Sequence, residues 1–379
     1  MTISQRLRAP FLLLFSGILI LLSLTAADGR SDNSSSGYQE WRTEVIFESE
    51  DLQDAISLAV APNREVAVAY VEYGTPTQSH ISRLASAEWR HDTIDISPWA
   101  YELGVFYDQT SRLHAHLIDS GDSIGYSQLW HLWDAGDEWK SELAMSYWAM
   151  EFTDMAMGPN GEVYAIGRFV TYQFSAATFV LKRGPFAVWL PVQFRLIDLY
   201  SGGRNTTLAV DSAGEPHYTY EMGCFDNFGP LRHVERRGAK WQVQWLASPC
   251  SAVDTSLALN SADRSYVAFS ETIDDETHLI LAYDDGQQGR RIRVPGGENA
   301  GPSDIAIDAQ DRVHLAFVDK DAGLVRYGVL AGEEWTTVVV DEEPANIVAL
   351  ELVVDADGQP HLAYLDQDAG LVVYATTGI

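Results

Sequence analysis

One short segment recurs seven times along the chain, and this repeat constrains the fold more than any other feature. The clearest copies are LAVDSAGEPHYTYEM (Leu208–Met222), IAIDAQDRVHLAFVD (Ile305–Asp319) and LVVDADGQPHLAYLD (Leu352–Asp366). The residue after the first apolar run of each copy serves as a marker, and the seven markers lie at positions 61, 108, 158, 211, 260, 308 and 355. The spacings of 47 to 53 residues are typical of architectures that stack one supersecondary unit many times.

Each repeat contains four short β-rich runs separated by turn residues. In the fourth repeat the runs are TTLAVD, PHYTYE, LRHVERR and WQVQWLA, with the hairpin turn SAGE between the first two. Four strands per unit at a period of about 40–50 residues indicate the blade of a β-propeller. The sequence therefore predicts an all-β fold, a seven-bladed β-propeller of four-stranded antiparallel blades.

The last repeat reaches Ile379 before its fourth run. In the preceding repeat that run begins Glu334-Trp335 and continues with β-branched residues, and Glu40-Trp41 near the start of the chain has the same form. We expect residues 38–49 to form the outer strand of the last blade, which would remove an open sheet edge. The predicted propeller domain is then 38–379.

The first 27 residues have the form of an export signal. Arg6 and Arg8 precede the apolar run FLLLFSGILILLSL, and the small residues Thr25-Ala26-Ala27 follow it. Fourteen apolar residues are fewer than the ~20 of a membrane span, so cleavage is favoured over an uncleaved anchor. Residues 28–37 are predicted to be a flexible linker, and the mature protein to be secreted, periplasmic or on the cell surface.

The net charge limits the classes of binding partner, and the cysteine count bears on disulfide bonding. The formal net charge is −29, which argues against nucleic acid or an anionic membrane as partner, since both require a basic surface. The two cysteines, Cys224 and Cys250, would share one rim of the ring, and an exported chain favours a disulfide over free thiols. Closing that loop would contribute ~3 kcal/mol. We expect a monomer without membrane insertion after signal cleavage.

The repeat consensus D-x-x-G-x-P-H-x-A-Y-x-D, followed by G-L-x-Y and a Trp, resembles the units of secreted bacterial seven-bladed propellers in the broad sialidase-like (BNR-repeat) superfamily. The resemblance covers the whole mature chain and implies the fold. No unit has the Asp-box Ser-x-Asp-x-Gly-x-x-Trp, and the sialidase set of three arginines, a Tyr–Glu pair and an acidic catalyst is not assignable here.

Residue types that return in most blades are interpreted as scaffold, and departures from the repeat as candidate sites. By this rule the histidine column (His114, His217, His314 and His361) and the tryptophan column are structural. Asp119, Asp319 and Asp366 end their second strands in tight turns, where a carboxylate caps backbone N–H groups. A calcium site in these loops is the alternative to turn capping; no other cofactor is expected.

The departures cluster in blades two to four, whose loops on one rim are long and rich in aromatic residues. The candidate ligand-binding residues are Trp99, Tyr101, Asp119, Tyr147, Trp148, Arg168, Tyr172, Tyr200, Arg204, Asp226 and Phe228. Aromatic faces beside Asp and Arg suit a sugar, and they equally suit a protein interface. The same loops would also be explained by small satellite cores.

The sequence favours a secreted, non-catalytic propeller that binds a glycan or protein through these loops. The alternative is a polysaccharide-active hydrolase or lyase with its site on the same rim. A hydrolase would need two facing carboxylates, and a lyase a base such as His or Tyr beside Arg.

Overall fold

The structure is a computed structural model that describes most of residues 40–377. Outside the described residues are positions 1–39, 75, 121–125, 149, 171–174, 184–188, 200–205, 222–230, 238–239, 248–251, 275, 285, 287, 333, 343–345 and 378–379. Within strands, the side chains of 147–153, 168–178, 193–199, 221, 252 and 253 are also outside the description.

The described strands form seven four-stranded antiparallel sheets arranged as the blades of a propeller. Blades one and two contain β2 (Leu52–Val60), β3 (Val66–Glu72), β4 (Gln78–Ala85), β5 (Glu88–Ile94), β6 (Ala100–Tyr107), β7 (Leu113–Asp119), β8 (Tyr126–Asp134) and β9 (Trp139–Trp148). Blades three and four contain β10 (Met150–Met157), β11 (Val163–Val170), β12 (Ser175–Arg183), β13 (Trp189–Leu199), β14 (Leu208–Val210), β15 (Pro216–Glu221), β16 (Leu231–Arg237) and β17 (Lys240–Trp245).

Blades five and six contain β18 (Ala252–Leu259), β19 (Ser265–Ile273), β20 (Glu276–Asp284), β21 (Gly289–Glu298), β22 (Ala300–Ile307), β23 (Val313–Asp319), β24 (Leu324–Ala331) and β25 (Glu334–Asp341). Blade seven contains β26 (Ile347–Val354), β27 (Pro360–Asp366), β28 (Leu371–Thr376) and β1 (Arg42–Glu48). The predicted seven-bladed propeller is therefore confirmed. Among the described residues there is no helix long and apolar enough to span a membrane.

Strand β1 completes blade seven, as the two partial repeats at the chain ends predicted. It pairs antiparallel with β28 in the register Arg42↔Thr376 to Glu48↔Leu371. The ring of Trp41 meets that of Tyr327 edge-on at 5.0 Å, and Ile46 is buried. The first and last strands of the ring thus share one sheet, which closes it.

The core lies between the blades and is built from the second strand of each. Every residue of β7 is buried, and β3, β23 and β27 are buried in all but their last residue. The tryptophan column packs half-buried against the clusters between blades, and Trp89, Trp139 and Trp335 are examples. These positions confirm that the column serves packing.

The histidine column belongs to a polar network that recurs from blade to blade. In blade seven, Asp355 Oδ1 accepts the N–H groups of Asp357 and Gln359, and its Oδ2 lies 3.7 Å from His361 Nε2. His361 Nδ1 then lies 2.6 Å from the Tyr374 hydroxyl. Blades two, four and six repeat the Asp–His contact, so these histidines stabilise hairpin turns.

Bulges bend most inner strands at the same rim. The pairing of first with second strand shifts register there in blades one, two, three, five, six and seven. In blade two the shift lies between Ala100 and Glu102, and in blade three between Phe152 and Asp154. A bulge redirects the side chains that follow it, and here it precedes the residues that line the ring axis.

Candidate functional site: an acidic axial channel

The inner strands of all seven blades enclose a polar cavity of about 400 Å³ on the ring axis. One equivalent residue per blade lines it, directly before the apolar residue that starts each repeat. We call these residues the axial ring; its members are Ser57, Gly104, Asp154, Thr207, Ser256, Asp304 and Glu351. Each is paired with, or hydrogen-bonded through its backbone to, the fourth residue of its second strand, so the ring is one layer of the fold.

Four members of the axial ring tie one blade to the next. Their side-chain oxygens accept a backbone N–H from the following inner strand. The bonds run from Val105 N to Ser57 Oγ (3.1 Å), Leu208 N to Asp154 Oδ2 (2.8 Å), Ile305 N to Ser256 Oγ (3.2 Å) and Leu352 N to Asp304 Oδ2 (2.6 Å). An inner strand has an unpaired edge toward the axis, and these bonds satisfy part of its backbone. Their role is structural.

Gly104 and His116 depart together from this pattern. They are cross-strand partners, and the positions equivalent to His116 in blades one, five, six and seven are all Ala. A Cβ on Gly104 would lie 2.2 Å from His116 Cε1. Blade two therefore lacks an axial-ring side chain, and the His116 imidazole occupies its place, 3.8 Å from Glu102 Oε1.

Glu351 is the second departure. Among the bonds of the described residues, none joins its carboxylate to the inner strand of blade one. Burial raises the pKa of Glu351 well above its ordinary value, and repulsion from Asp304 and Asp154 adds to the shift. Burial also raises the pKa of Asp304, and it raises that of Asp154 to about 7, with Glu102 contributing repulsion.

The channel is strongly acidic as a whole. Glu102, Asp154, Asp304 and Glu351 line it, and among its described lining residues there is no Lys or Arg. A buried carboxylate without a cationic neighbour is costly unless it binds a proton or a cation. The channel therefore favours neutral or cationic ligands over anionic ones.

One of the predicted site residues lines this channel. Tyr101 lines the cavity, and burial raises the pKa of its phenol to about 12. Trp99, two residues earlier, is 50% exposed. Asp119 lies elsewhere: it is buried at the end of β7, and its carboxylate accepts a 3.2 Å bond from Trp130 Nε1.

The other predicted site residues are not fully described. Tyr147 and Trp148 lie in β9 and Arg168 in β11, but their side chains are outside the described part of the structure. Wholly outside the described residues lie Tyr172, Tyr200, Arg204, Asp226, Phe228 and both cysteines, Cys224 and Cys250. The loop site and the disulfide remain predictions.

Sequence reasoning missed His116, Glu102, Asp154, Asp304 and Glu351. A signal for two of them was present, because His116 and Glu351 break their columns in the repeat, as His among Ala and as Glu among smaller residues. The predicted site residues lie in or beside the rim loops, whereas these five lie within strands near the ring axis. The bulges that turn Glu102 and Asp154 toward the axis have no sequence signature.

Elsewhere, the described side chains offer one group with metal-ligand spacing. Ligand atoms of His217, His233 and Glu235 lie within 4.8 Å of one another. The Ser265 hydroxyl bridges the two imidazoles, 3.0 Å from each. The arrangement is the blade-four version of the repeated histidine network. At the rim, Asp319 and Asp366 accept N–H groups three residues ahead, so they cap their turns.

No family model matches the sequence, and no curated protein matches it. Solved structures do share the fold. An ulvan lyase bound to a sugar of glucuronic acid and sulfated rhamnose superposes with a TM-score of 0.61 at 11% identity, covering 88% of this chain and 96% of that one. An α-L-arabinanase of Penicillium chrysogenum with arabinobiose gives 0.53 at 9%, covering 88% and 97%.

The β-propeller domain of the Trilobed protease from Pyrococcus furiosus gives a TM-score of 0.57 at 10% identity, covering 88% of this chain and 95% of that one. That domain has an open velcro topology, whereas here β1 closes blade seven. At these identities the likeness establishes the architecture alone. The chain is a seven-bladed β-propeller that shares its fold with proteins acting on glycans.

Proposed function

We propose that the protein is a secreted glycan-binding propeller whose ligand lies over the mouth of the axial channel. The observation that carries this proposal is a concave polar cavity of about 400 Å³ with Tyr101 in its wall. Trp99, two residues before Tyr101 in the chain, is half exposed and would serve as an aromatic platform at the mouth. Sugar sites combine a flat aromatic platform with a few directed polar groups. The aromatic loops of blades two to four, with residues such as Tyr147 and Trp148, would extend the site.

The charge of the channel selects the class of glycan. Glu102, Asp154, Asp304 and Glu351 face the ligand without a described Lys or Arg in the lining, so a uronate or sulfate group would be repelled. The ulvan lyase that shares the fold was solved with an acidic sugar. We propose neutral glycans as ligands here, which also weighs against lyase chemistry, since a lyase acts on a uronate.

Export, the Cys224–Cys250 disulfide and kinship with the sialidase-like superfamily are parts of the same proposal. They rest on the apolar run near the start of the chain, on the two-cysteine count and on the repeat consensus. A glycan ligand outside the cell is consistent with all three.

A glycan array followed by calorimetry tests the proposal. The wild type should bind neutral oligosaccharides, and Trp99→Ala should weaken binding by roughly tenfold or more through loss of the aromatic platform. Trp245→Ala is the matched control, because Trp245 is also exposed but lies on the outermost strand of blade four. Equal losses in both variants, or binding of acidic glycans only, would contradict the proposal.

A glycoside hydrolase is the second candidate, favoured by one observation. Glu102 and His116 form a polar pair 3.8 Å apart that faces the cavity, and a positioned acid or base is what such chemistry requires. Reducing ends released from neutral polysaccharides, and lost in Glu102→Gln, would establish hydrolysis. Binding without any release by the wild type would exclude it for those substrates.

A further inference from the structure

Two hydroxyl groups in the axial channel point to a ligand of the channel itself. Thr206 Oγ1 and Ser303 Oγ are buried, and within the described part of the chain neither has a hydrogen-bond partner. Thr206 is 3% and Ser303 8% exposed, and both line the same cavity as Asp154 and Glu351. A buried hydroxyl without a partner costs about 1–3 kcal/mol, so an occupant that binds it is expected.

The chemistry of the lining defines that occupant. Apart from the His116 imidazole, the polar side chains around the cavity offer oxygen atoms: four carboxylates and the hydroxyls of Ser, Thr and Tyr. Oxygen ligands with several negative charges select hard cations such as Ca²⁺ and Mg²⁺ over thiophilic metals. Glu351 is the most available carboxylate, because it makes no described bond to the neighbouring blade, unlike Asp154 and Asp304.

The spacing indicates that water completes the coordination shell. Among the described residues, no three carboxylates of the channel approach within 4.8 Å of one another, so they cannot all touch one bare ion. The cavity of about 400 Å³ has room for an ion with several waters. Ca²⁺ tolerates irregular shells of six to eight oxygens more readily than Mg²⁺ does.

We propose that the axial channel binds a hydrated divalent cation, with Ca²⁺ preferred, between Glu351, Asp154, Thr206 and Ser303. The ion would lie inside the channel and the neutral glycan over its mouth, so the two proposals are compatible. The cation would join blades three, four, six and seven through one centre.

Thermal unfolding and calorimetry of the whole protein, stripped with EGTA, test this proposal. CaCl₂ at a hundredfold excess over Kd should raise Tm by about 4 °C for a ring of this size. NaCl at equal ionic strength should raise Tm less, because it only screens the repulsion among the acidic side chains. Equal shifts with both salts, or no shift with calcium, would overturn the proposal.

Three variants locate the site. Glu351→Gln should weaken Ca²⁺ binding at least tenfold and, in EGTA, should melt above the wild type, because it removes a repulsive buried acid. Thr206→Val should weaken binding without lowering the Tm in EGTA, since its hydroxyl makes no described bond. Glu334→Gln, on the exposed edge of β25, is the control. Calcium binding that is unchanged in both channel variants would place the ion elsewhere and refute the site.

Discussion

Ring closure by β1 can be tested with one substitution, Ile46→Ala. Ile46 is 7% exposed and packs in the cluster that joins blades seven and one, with Leu52 and Val372 among its members. Removing three buried carbons at such a site costs about 3 kcal/mol, the sum of lost transfer energy and the cavity left behind. With an unfolding entropy of roughly 0.7 kcal/mol/K for a ring of this size, Tm should fall by about 4 °C.

The adjacent residue provides the matched control. Val45 belongs to the same strand but is 52% exposed, so Val45→Ala should cost about 0.5 kcal/mol and less than 1 °C. Differential scanning calorimetry on the three proteins gives the comparison. If both variants melt together, β1 does not contribute to the cooperative unit, and the reasoning on closure is wrong. Deletion of 38–49 should lower Tm further, because it exposes the edge of β28.

Gly104→Ala should displace the His116 imidazole from the channel, since the new Cβ would lie 2.2 Å from its ring. Titration calorimetry should then show weakened glycan binding. An unchanged affinity would show that His116 is not part of the site. Lowering the pH from 6.5 to 5 should destabilise the ring by about 2 kcal/mol through His233 alone. Burial lowers the pKa of His233 to about 3, so only the unfolded state gains the proton in this pH range. The midpoint of urea unfolding should therefore fall between pH 6.5 and pH 5, and a constant midpoint would refute the argument. Reduction of the predicted Cys224–Cys250 bridge should cost ~3 kcal/mol, and mass spectrometry of alkylated protein should find no free thiol before reduction.

The ring could be predicted because its information is repeated. A hairpin turn such as DADG (Asp355–Gly358) requires a left-handed residue at its end, which Gly358 supplies with φ of 82°, and the same turn recurs from repeat to repeat. Each repeat alone is a weak indication of a blade, but seven copies at similar spacing together predict the propeller. Closure of the ring could be predicted because the last repeat lacks its fourth strand and the start of the chain supplies one. Glu40-Trp41 there has the same form as Glu334-Trp335 at the fourth strand of blade six.

The residues of the candidate site could not be predicted in the same way. The rim-loop residues were chosen for their composition, and of these Tyr101 reaches the cavity wall while Asp119 is buried against Trp130. The axial acids were overlooked because each is one polar residue inside an apolar strand, far in sequence from the others. Asp154 and Glu351 are separated by 197 positions and face one cavity only because the ring closes.

The sequence by itself determined the number of blades, their four-strand composition and the pairing of the chain ends, because these depend on local patterns that recur at a fixed period. The tertiary structure decided which side chains share the axis. The Asp304 carboxylate accepts a hydrogen bond from the next blade, whereas no described bond joins Glu351 to its neighbouring blade. This difference depends on the strand bulges and on the position of the next blade. Those distances arise only when seven separate segments meet around one axis.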